Sequence, residues 1–402
     1  MHKKIRLTLI LLLIIVGSSY GQNDFRSGFI ITLDNDTIQG QVDYRSNSKN
    51  YESCIFRGEQ DETEYYPIQI LGFGYNNDKF FSSKIIDGSF VEVLVDGDIS
   101  LFMSKGKFYI KKDTSYFELE SRVEKVEING KVGTKETSKW RGILSYLISD
   151  CFPNSNAQTA NIKFDEKSLT RLIIKYNKCK GSEFTEFKAS KPQTKFDFGV
   201  TVGLSKSQIQ TSARSGFFYY LDDSYSSVDP SIGVLFAFSF PRITEKISFQ
   251  GEFHFLKSSY SSLVILESPT EFISESPTEY HDTFIELSTL TIPFSMKYSF
   301  PEKKYGVYLQ AGINYDYNLS SNTKLLSERV NGNVVSTFPE GVAFEINDNQ
   351  IGFWGGVGIL KSYQKFRGSI ALRYFQMSSF NQTVGFKANN NRISLNLILL
   401  KK

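Results

Sequence analysis

The sequence predicts a mainly β protein: an eight-stranded antiparallel transmembrane β-barrel preceded by a small β-rich domain and two short helices. Three observations support this fold class. The chain of 402 residues is 15% aromatic, with 35 Phe and 22 Tyr, and aromatic residues favour strands. Residues 191–402 alternate apolar and polar positions in successive runs. The connections between these runs are alternately short and long, as in bacterial outer-membrane barrels.

Residues 1–21 have the three-part pattern of an export signal. Three basic residues precede the run Leu7–Val16, which is apolar except for Thr8, and small residues lead to a predicted cleavage site after Gly21. The run is too short to cross a bilayer as a helix. We expect the mature chain to be exported, with basic and acidic residues in equal number. The mature chain therefore has no excess of positive charge of the kind that nucleic-acid-binding proteins use.

Residues 22–135 are predicted to form a β-rich domain in the periplasm. Short β-prone runs are separated by turn-forming residues, so that residues 29–42 and 91–102 each predict a hairpin. The segment has about the length of an ordinary small domain.

Residues 136–190 are predicted to contain two short helices and a polar linker. Apolar residues recur at helical spacing in 140–148 and in 169–176. Cys151 and Cys179 each follow one of these segments, so a disulfide between them would join the ends of the two helices.

The remaining cysteine, Cys54, is left over when the other two pair in an oxidising compartment. The sequence does not decide whether it is buried or reactive. No cluster of His and Cys has the spacing of metal ligands, and no metal or other cofactor is expected.

Residues 191–402 are predicted to form the barrel itself. Each apolar run is about ten residues long, which is what a tilted strand needs to cross the hydrocarbon. Short connections are predicted at 241–245, 301–304 and 362–365, and longer polar ones at 207–229, 258–282, 319–349 and 378–388. A soluble sandwich or lipocalin-like barrel also alternates, with its apolar face inside. The export signal, the loop asymmetry and glycines on the polar face favour the membrane version.

In the membrane version the polar faces line a lumen that eight strands make only wide enough for side chains. We expect a network of paired charges there rather than a conducting pore, because buried charges need partners. Its predicted members are Asp197, Glu252, His254, Lys297, Asp316, Arg367, Arg373 and Arg392. His254 beside Glu252, and His281 beside Asp282 in a long surface loop, are weak candidates for chemistry. No nucleophile motif, P-loop or metal signature accompanies them, so no catalytic residue is predicted.

Several short motifs carry a family resemblance. Leu290–Tyr298 reads LTIPFSMKY, and Tyr308–Gly312 reads YLQAG. They are similar to the mid-barrel strand, Leu-x-Ile-Pro followed by Lys-Tyr, and the next strand of PorT-like outer-membrane barrels of Bacteroidota. Gly28–Gly40 resembles N-terminal domains fused to such barrels in the same phylum. The chain departs from many barrels at Leu399–Lys402, where it lacks a final aromatic residue.

The favoured hypothesis is a non-enzymatic outer-membrane protein whose periplasmic domain docks on envelope partners. An even strand number with short turns inward places both ends of the barrel in the periplasm. The resemblance implies a secretion or assembly accessory, with outer-membrane lipid and periplasmic or outer-membrane proteins as partners. Two alternatives stay open: an enzyme acting on lipid or peptide at the barrel rim, and a surface adhesin or receptor that uses the long loops.

Overall fold

The computed structural model has two compact units, which divide between Pro192 and Gln193. The predicted export signal lies outside the described residues. The predicted fold class is confirmed, because strands dominate both the sheet of the first unit and the barrel of the second. The structure describes residues 24–59, 61–86, 88–121, 123–128, 131–136, 139–213, 218–267, 277–301, 304–379, 381 and 386–401.

The N-terminal unit is built on antiparallel strands. They are β1 (Phe25–Thr32), β2 (Thr37–Asp43), β3 (Cys54–Arg57), β4 (Glu62–Tyr65), β5 (Ile70–Tyr75), β6 (Phe80–Ile86), β7 (Ser89–Asp96), β8 (Ile99–Ser104), β9 (Lys107–Lys112), β10 (Ser115–Leu119), β11 (Val123–Ile128), β12 (Lys131–Glu136) and β13 (Thr185–Glu186). The main sheet has the order β10-β9-β8-β7-β6-β5-β1-β2-β3-β4, with β13 paired to β7 and a separate β11–β12 hairpin. Both predicted hairpins are confirmed, as β1–β2 and β7–β8.

Short helices complete this unit. They are α1 (Asn47–Asn50), α2 (Lys139–Leu147), α3 (Ser155–Ala160) and α4 (Glu166–Lys180). The predicted pair corresponds to α2 and α4, whereas the polar α3 has no apolar periodicity to reveal it. The Asp165 side chain accepts a hydrogen bond from the Ser168 N–H at 2.7 Å and begins α4. Gly181, at a φ of 68°, ends it. None of the described helices is both long and apolar enough to span a membrane.

Helices and strands of the N-terminal unit share a hydrophobic core. Trp140 of α2 and Ile173 of α4 are fully buried in one cluster with Ile99 of β8. A disulfide joins Cys151 to Cys179, whose Cα atoms are 6.3 Å apart. The two predicted segments, 22–135 and 136–190, therefore lie in one compact unit.

The third cysteine, Cys54, begins β3 and is a buried free thiol. Burial raises the pKa of this thiol, despite the opposing charge of Arg45. Because the thiolate is the reactive form, a buried and protonated Cys54 is a structural residue.

The second unit is a closed barrel. Its strands are β14 (Lys195–Ala213), β15 (Ser224–Phe240), β16 (Thr244–Glu267), β17 (Thr278–Ser299), β18 (Gly306–Asn331), β19 (Val334–Thr337), β20 (Asn349–Ser362), β21 (Phe366–Ser379) and β22 (Phe386–Lys401). Eight of them form the wall: β19 pairs only with β18, while β14 pairs with β22 and β17 with β18 to complete the circle. We call the end with the short turns and both chain ends the turn end, and the opposite end the extended end.

The outer wall of the barrel is apolar. Phe353 is 73% exposed, Ile232 64% and Val200 54%, and aliphatic or aromatic side chains like these occupy outward positions on all eight wall strands. Inward positions carry mostly polar and charged residues. A soluble barrel would have the opposite arrangement, so the lipocalin-like alternative is wrong and the wall is suited to lipid.

The barrel strands are longer than predicted. β16, β17 and β18 have 24, 22 and 26 residues, so much of the predicted loops 258–282 and 319–349 is strand. At the extended end polar residues such as Lys257, Glu286 and Asn322 occupy outward positions among apolar ones. The backbone ladder continues there although the outer face is no longer uniformly apolar, which is why alternation of hydrophobicity did not reveal it.

Pro293 interrupts one ladder beside the centre of the lumen. The pairing of β16 with β17 passes from Gly251–Phe294 to His254–Thr291 and skips the positions between. Proline has no N–H to donate to a neighbouring strand. The Leu-x-Ile-Pro motif therefore marks a local opening of the sheet.

Candidate functional site

Glu252 is the centre of the charged layer in the barrel lumen. Its fully buried carboxylate accepts two hydrogen bonds from the guanidinium of Arg373, both at 2.9 Å. His254 Nε2 lies 2.6 Å from the same carboxylate, and Gln250 donates to it at 2.8 Å. Arg373 also lies over the ring of Trp354, 5.0 Å from its centre. The carboxylate is thus paired on both oxygens, which a buried charge requires.

A second ion pair lies in the same layer. Arg392 approaches Asp316 to 3.5 Å and donates to Thr291 Oγ1 at 3.3 Å. Asn314 donates to Asp316 at 2.7 Å, and the Arg392 guanidinium lies 4.6 Å from the centre of the Phe375 ring. Two arginines on neighbouring strands are therefore held by acids from the opposite wall.

Lys297 is the least paired of the lumen charges. Its ammonium lies 3.9 Å from the centre of the Tyr308 ring, and among the described residues it has no carboxylate within 4.0 Å. Asp197 pairs with Lys195 at 3.3 Å, and Arg367 is half-buried nearer the turn end. The structure places all eight predicted lumen residues on the inward face. It brings together Glu252, His254 and Arg373, and separately Asp316 and Arg392.

Apolar layers lie on both sides of the charged layer. The layer toward the turn end consists of Leu235, Tyr308, Leu360, Ala371, Ile398 and Leu400. The larger layer toward the extended end consists of Ile209, Leu221, Tyr225, Tyr260, Ile285, Leu287, Ala343, Phe344, Phe386 and Ala388. Both contain bulky, almost fully buried side chains. The lumen is therefore filled by side chains, as expected for eight strands.

Glycines on β20 make room for the largest lumen residues. A Cβ on Gly358 would lie 2.2 Å from the ring of Tyr308, and one on Gly356 would lie 2.9 Å from Cγ of Arg373. Sequence reasoning missed Gln250, although it shares the inward face with Glu252 at a spacing of two. The glycines at alternate positions of β20, Gly356 and Gly358, could have predicted that large side chains lie opposite them in the lumen.

A polar row lies on the inward face at the extended end. Ser327 Oγ is 2.9 Å from His281 Nδ1, and His281 Nε2 is 3.4 Å from Glu279. Tyr220 packs on the imidazole with ring centres 5.2 Å apart. The predicted placement of His281 and Asp282 in a long loop is wrong, because both lie on β17, where adjacent residues point to opposite faces. No sequence pattern indicated Ser327, which comes from the neighbouring strand β18.

This row has the order nucleophile, base and carboxylate that serine hydrolases use. Arg329 also donates to Glu279 through Nε at 2.9 Å, so the carboxylate is shared between two partners. Among the described residues, no three His, Cys, Asp or Glu side chains are grouped to hold a metal ion.

The N-terminal unit has a buried charged cluster of its own. The ammonium of Lys188 lies 2.6 Å from Glu92 and 3.1 Å from Glu166. Asn47 donates to Glu92 at 2.8 Å and accepts from Lys79 at 2.7 Å, and burial lowers the pKa of Lys79. Lys188 was expected in a polar linker, but it is 1% exposed. The chain that leaves this unit is therefore fixed to it by ion pairs.

The barrel matches a family of known proteins. The family described as outer membrane protein beta-barrel domain matches residues 186–393. No curated protein matches the sequence. Among solved structures, the chain is similar to Neisserial surface protein A, with 13% identity, 50% of this chain and 95% of that chain covered, and a TM-score of 0.24. It is also similar to Ail, the attachment invasion locus protein of Yersinia pestis, with 8% identity, coverage of 50% and 97%, and a TM-score of 0.21.

The family match covers more than half of the chain and all eight wall strands contribute to it. It coincides with the unit whose apolar face is outside and whose lumen is charged. The chain therefore belongs to the outer membrane protein beta-barrel domain family.

Proposed function

We propose that this protein is a non-enzymatic outer-membrane anchor whose N-terminal unit docks on other envelope proteins. The observation that carries the proposal is the filled lumen. A charged layer between two apolar layers occupies it, so the barrel is suited to anchor the chain in the membrane rather than to conduct solutes. The N-terminal unit has its own core, disulfide and buried ion pairs. A domain of this size normally folds alone and is much more than a linker.

The proposed location of the N-terminal unit is the periplasm. Eight strands bring both ends of the barrel to the turn end, and bacterial barrels keep their short turns on the periplasmic side. The disulfide Cys151–Cys179 fits an oxidising compartment. The export signal predicted at residues 1–21 is consistent with this route.

The proposed partners belong to a secretion or assembly machine of the Bacteroidota envelope. The support for this finer assignment is the resemblance of Leu290–Tyr298 and Tyr308–Gly312 to PorT-like barrels. Both motifs lie in wall strands β17 and β18, beside the Pro293 interruption.

The test is a mild-detergent pull-down of the tagged full-length protein from native outer membranes, with partners identified by mass spectrometry. We expect reproducible envelope partners that are lost when residues 22–190 are deleted behind the export signal. Gel mobility of the deletion variant shows whether its barrel still folds. Lys257→Gln, an exposed change on the outer wall at the extended end, should retain every partner. A clean monomer, or partners that survive the deletion, would reject docking by this unit.

A second candidate is a hydrolase at the extended end, favoured by the hydrogen-bonded row of Ser327, His281 and Glu279. An activated serine should react with a fluorophosphonate probe, and Ser327→Ala should abolish that labelling. Ser262→Ala is the control: it removes another serine at the extended end of the barrel and should leave the labelling unchanged. Wild-type protein that is not labelled above the level of the Ser327→Ala variant would remove this candidate.

A further inference from the structure

The outer wall of the barrel carries a groove of about 790 Å³ that reaches the turn end across β20, β21, β22 and β14. Rows of outward residues in cross-strand register form it. The row nearest the turn end consists of Lys361, Gly368, Leu399 and Val200, and the next of Ile359, Ile370, Leu397 and Val202. Apart from Lys361 and Gly368, every residue in the two rows is aliphatic. The groove thus has an apolar body and a charged end.

Gly368 creates the depression in this wall. A Cβ built there would meet only the Tyr363 ring, at 3.9 Å. The row therefore has no side chain between Lys361 and Leu399, whereas all the other positions in the two rows have one. An acyl chain is the kind of group that fills a narrow apolar depression on a wall facing lipid.

The charged end of the groove is basic and aromatic. The ammonium of Lys361 lies 5.4 Å from the ring centre of Tyr305 and 5.4 Å from that of Tyr363. Lys365 lies in the adjoining turn, and Lys401 is opposite Phe366 at the end of β22. Tyrosine rings are typical of the level at which lipid headgroups meet the hydrocarbon.

No acidic residue in the part of the chain that the structure describes pairs with these lysines. Residues 349–402 contain no Asp or Glu. The lumen arginines of the same strands, Arg373 and Arg392, are compensated from the opposite wall. Among the described residues, Lys361, Lys365 and Lys401 have no carboxylate within 4.0 Å. An anionic group at the membrane surface would supply the counter-charge that the described residues do not provide.

We propose that this groove is a binding site for an anionic diacyl phospholipid, with an acyl chain over Gly368 and the phosphate at Lys361. Lysine binds phosphate as a point charge, and basic residues at a membrane surface attract anionic lipid. The apolar body of the groove distinguishes a lipid from a free phosphate, because only the lipid gains from burial there.

The test uses full-length protein in mild detergent and native mass spectrometry with phosphatidylglycerol and phosphatidylethanolamine of identical acyl chains. We expect phosphatidylglycerol to bind more tightly. Lys361→Gln and Lys365→Gln should each weaken it about fivefold and leave phosphatidylethanolamine unchanged. Gly368→Leu, which fills the depression without meeting backbone, should weaken both lipids.

Lys257→Gln is the matched control, since this lysine also faces outward but lies at the extended end of β16. It should leave both affinities unchanged. Equal affinity for the two lipids, or phosphatidylglycerol binding that survives the double variant of Lys361 and Lys365, would overturn the proposal. Competition by glycerol 3-phosphate as effective as by the lipid would show a headgroup site without an acyl groove, and would overturn it as well.

Discussion

Replacing Arg373 by methionine is expected to lower the free energy of unfolding of the barrel by about 3–5 kcal/mol. Arg373 supplies the two hydrogen bonds at 2.9 Å that hold the fully buried carboxylate of Glu252. Methionine occupies a similar volume without a charge, so Glu252 would keep only His254 and Gln250 as partners. The large cost comes from the buried carboxylate that is left without its main counter-charge.

The measurement is a urea titration of the protein in lipid vesicles, with folded barrel followed by gel mobility. Arg367→Met on the same strand is the control, and because Arg367 is half-buried it should change stability by no more than about 1 kcal/mol. The double variant Glu252→Leu with Arg373→Met removes both charges and should recover most of the loss. If the double variant were as unstable as Arg373→Met, packing rather than charge pairing would be the cause.

The barrel could be predicted because a membrane wall imposes the simplest of sequence patterns. One face meets lipid along about nine to eleven residues of each strand, so apolar residues recur at every second position. The same periodicity put Glu252, His254 and Gln250 on one inward face. It could not say which wall strand faces which across the lumen. The pairing of Glu252 with Arg373, across 121 positions of sequence, is a property of barrel closure.

Toward the extended end the regular alternation of apolar and polar residues is lost, although the strands remain paired. At the extended end polar residues interrupt the apolar outer face of β17 and β18, and Glu286 and Asn322 are directly opposite each other there. Inward positions of β17 include the apolar Ile285 and Leu287. Hydrogen bonds between backbone groups hold these extensions, and such bonds leave no mark on side-chain composition. The sequence therefore predicts a loop at His281 and does not indicate its contact with Ser327.

Lys188 shows a different limit of sequence reasoning. It stands among polar residues near Pro192, where a solvated linker is the ordinary expectation. Its φ of 59° is a conformation that lysine seldom adopts. Only the fold brings it to Glu92, which is itself completely buried on β7. A buried lysine with two carboxylate partners cannot be recognised until those partners are located in space.

Replacing Lys188 by methionine is expected to destabilise the N-terminal unit by about 3–5 kcal/mol. The ammonium lies 2.6 Å from Glu92, which has no exposure to solvent, and 3.1 Å from Glu166. Without it, Glu92 keeps the hydrogen bond from Asn47 as its direct support. A urea titration followed by Trp140 fluorescence measures the change, with Trp354 replaced by Phe because the chain has one tryptophan in each unit.

Two further variants separate charge pairing from packing at this site. Lys178→Met, an exposed lysine near the end of α4, should change stability by about 0.5 kcal/mol or less. Glu92→Gln combined with Lys188→Met removes the unpaired charge and keeps an acceptor for Asn47, so it should recover much of the loss. A double variant no more stable than Lys188→Met would mean that altered packing of the side chain at position 188, rather than the unpaired charge of Glu92, causes the loss of stability.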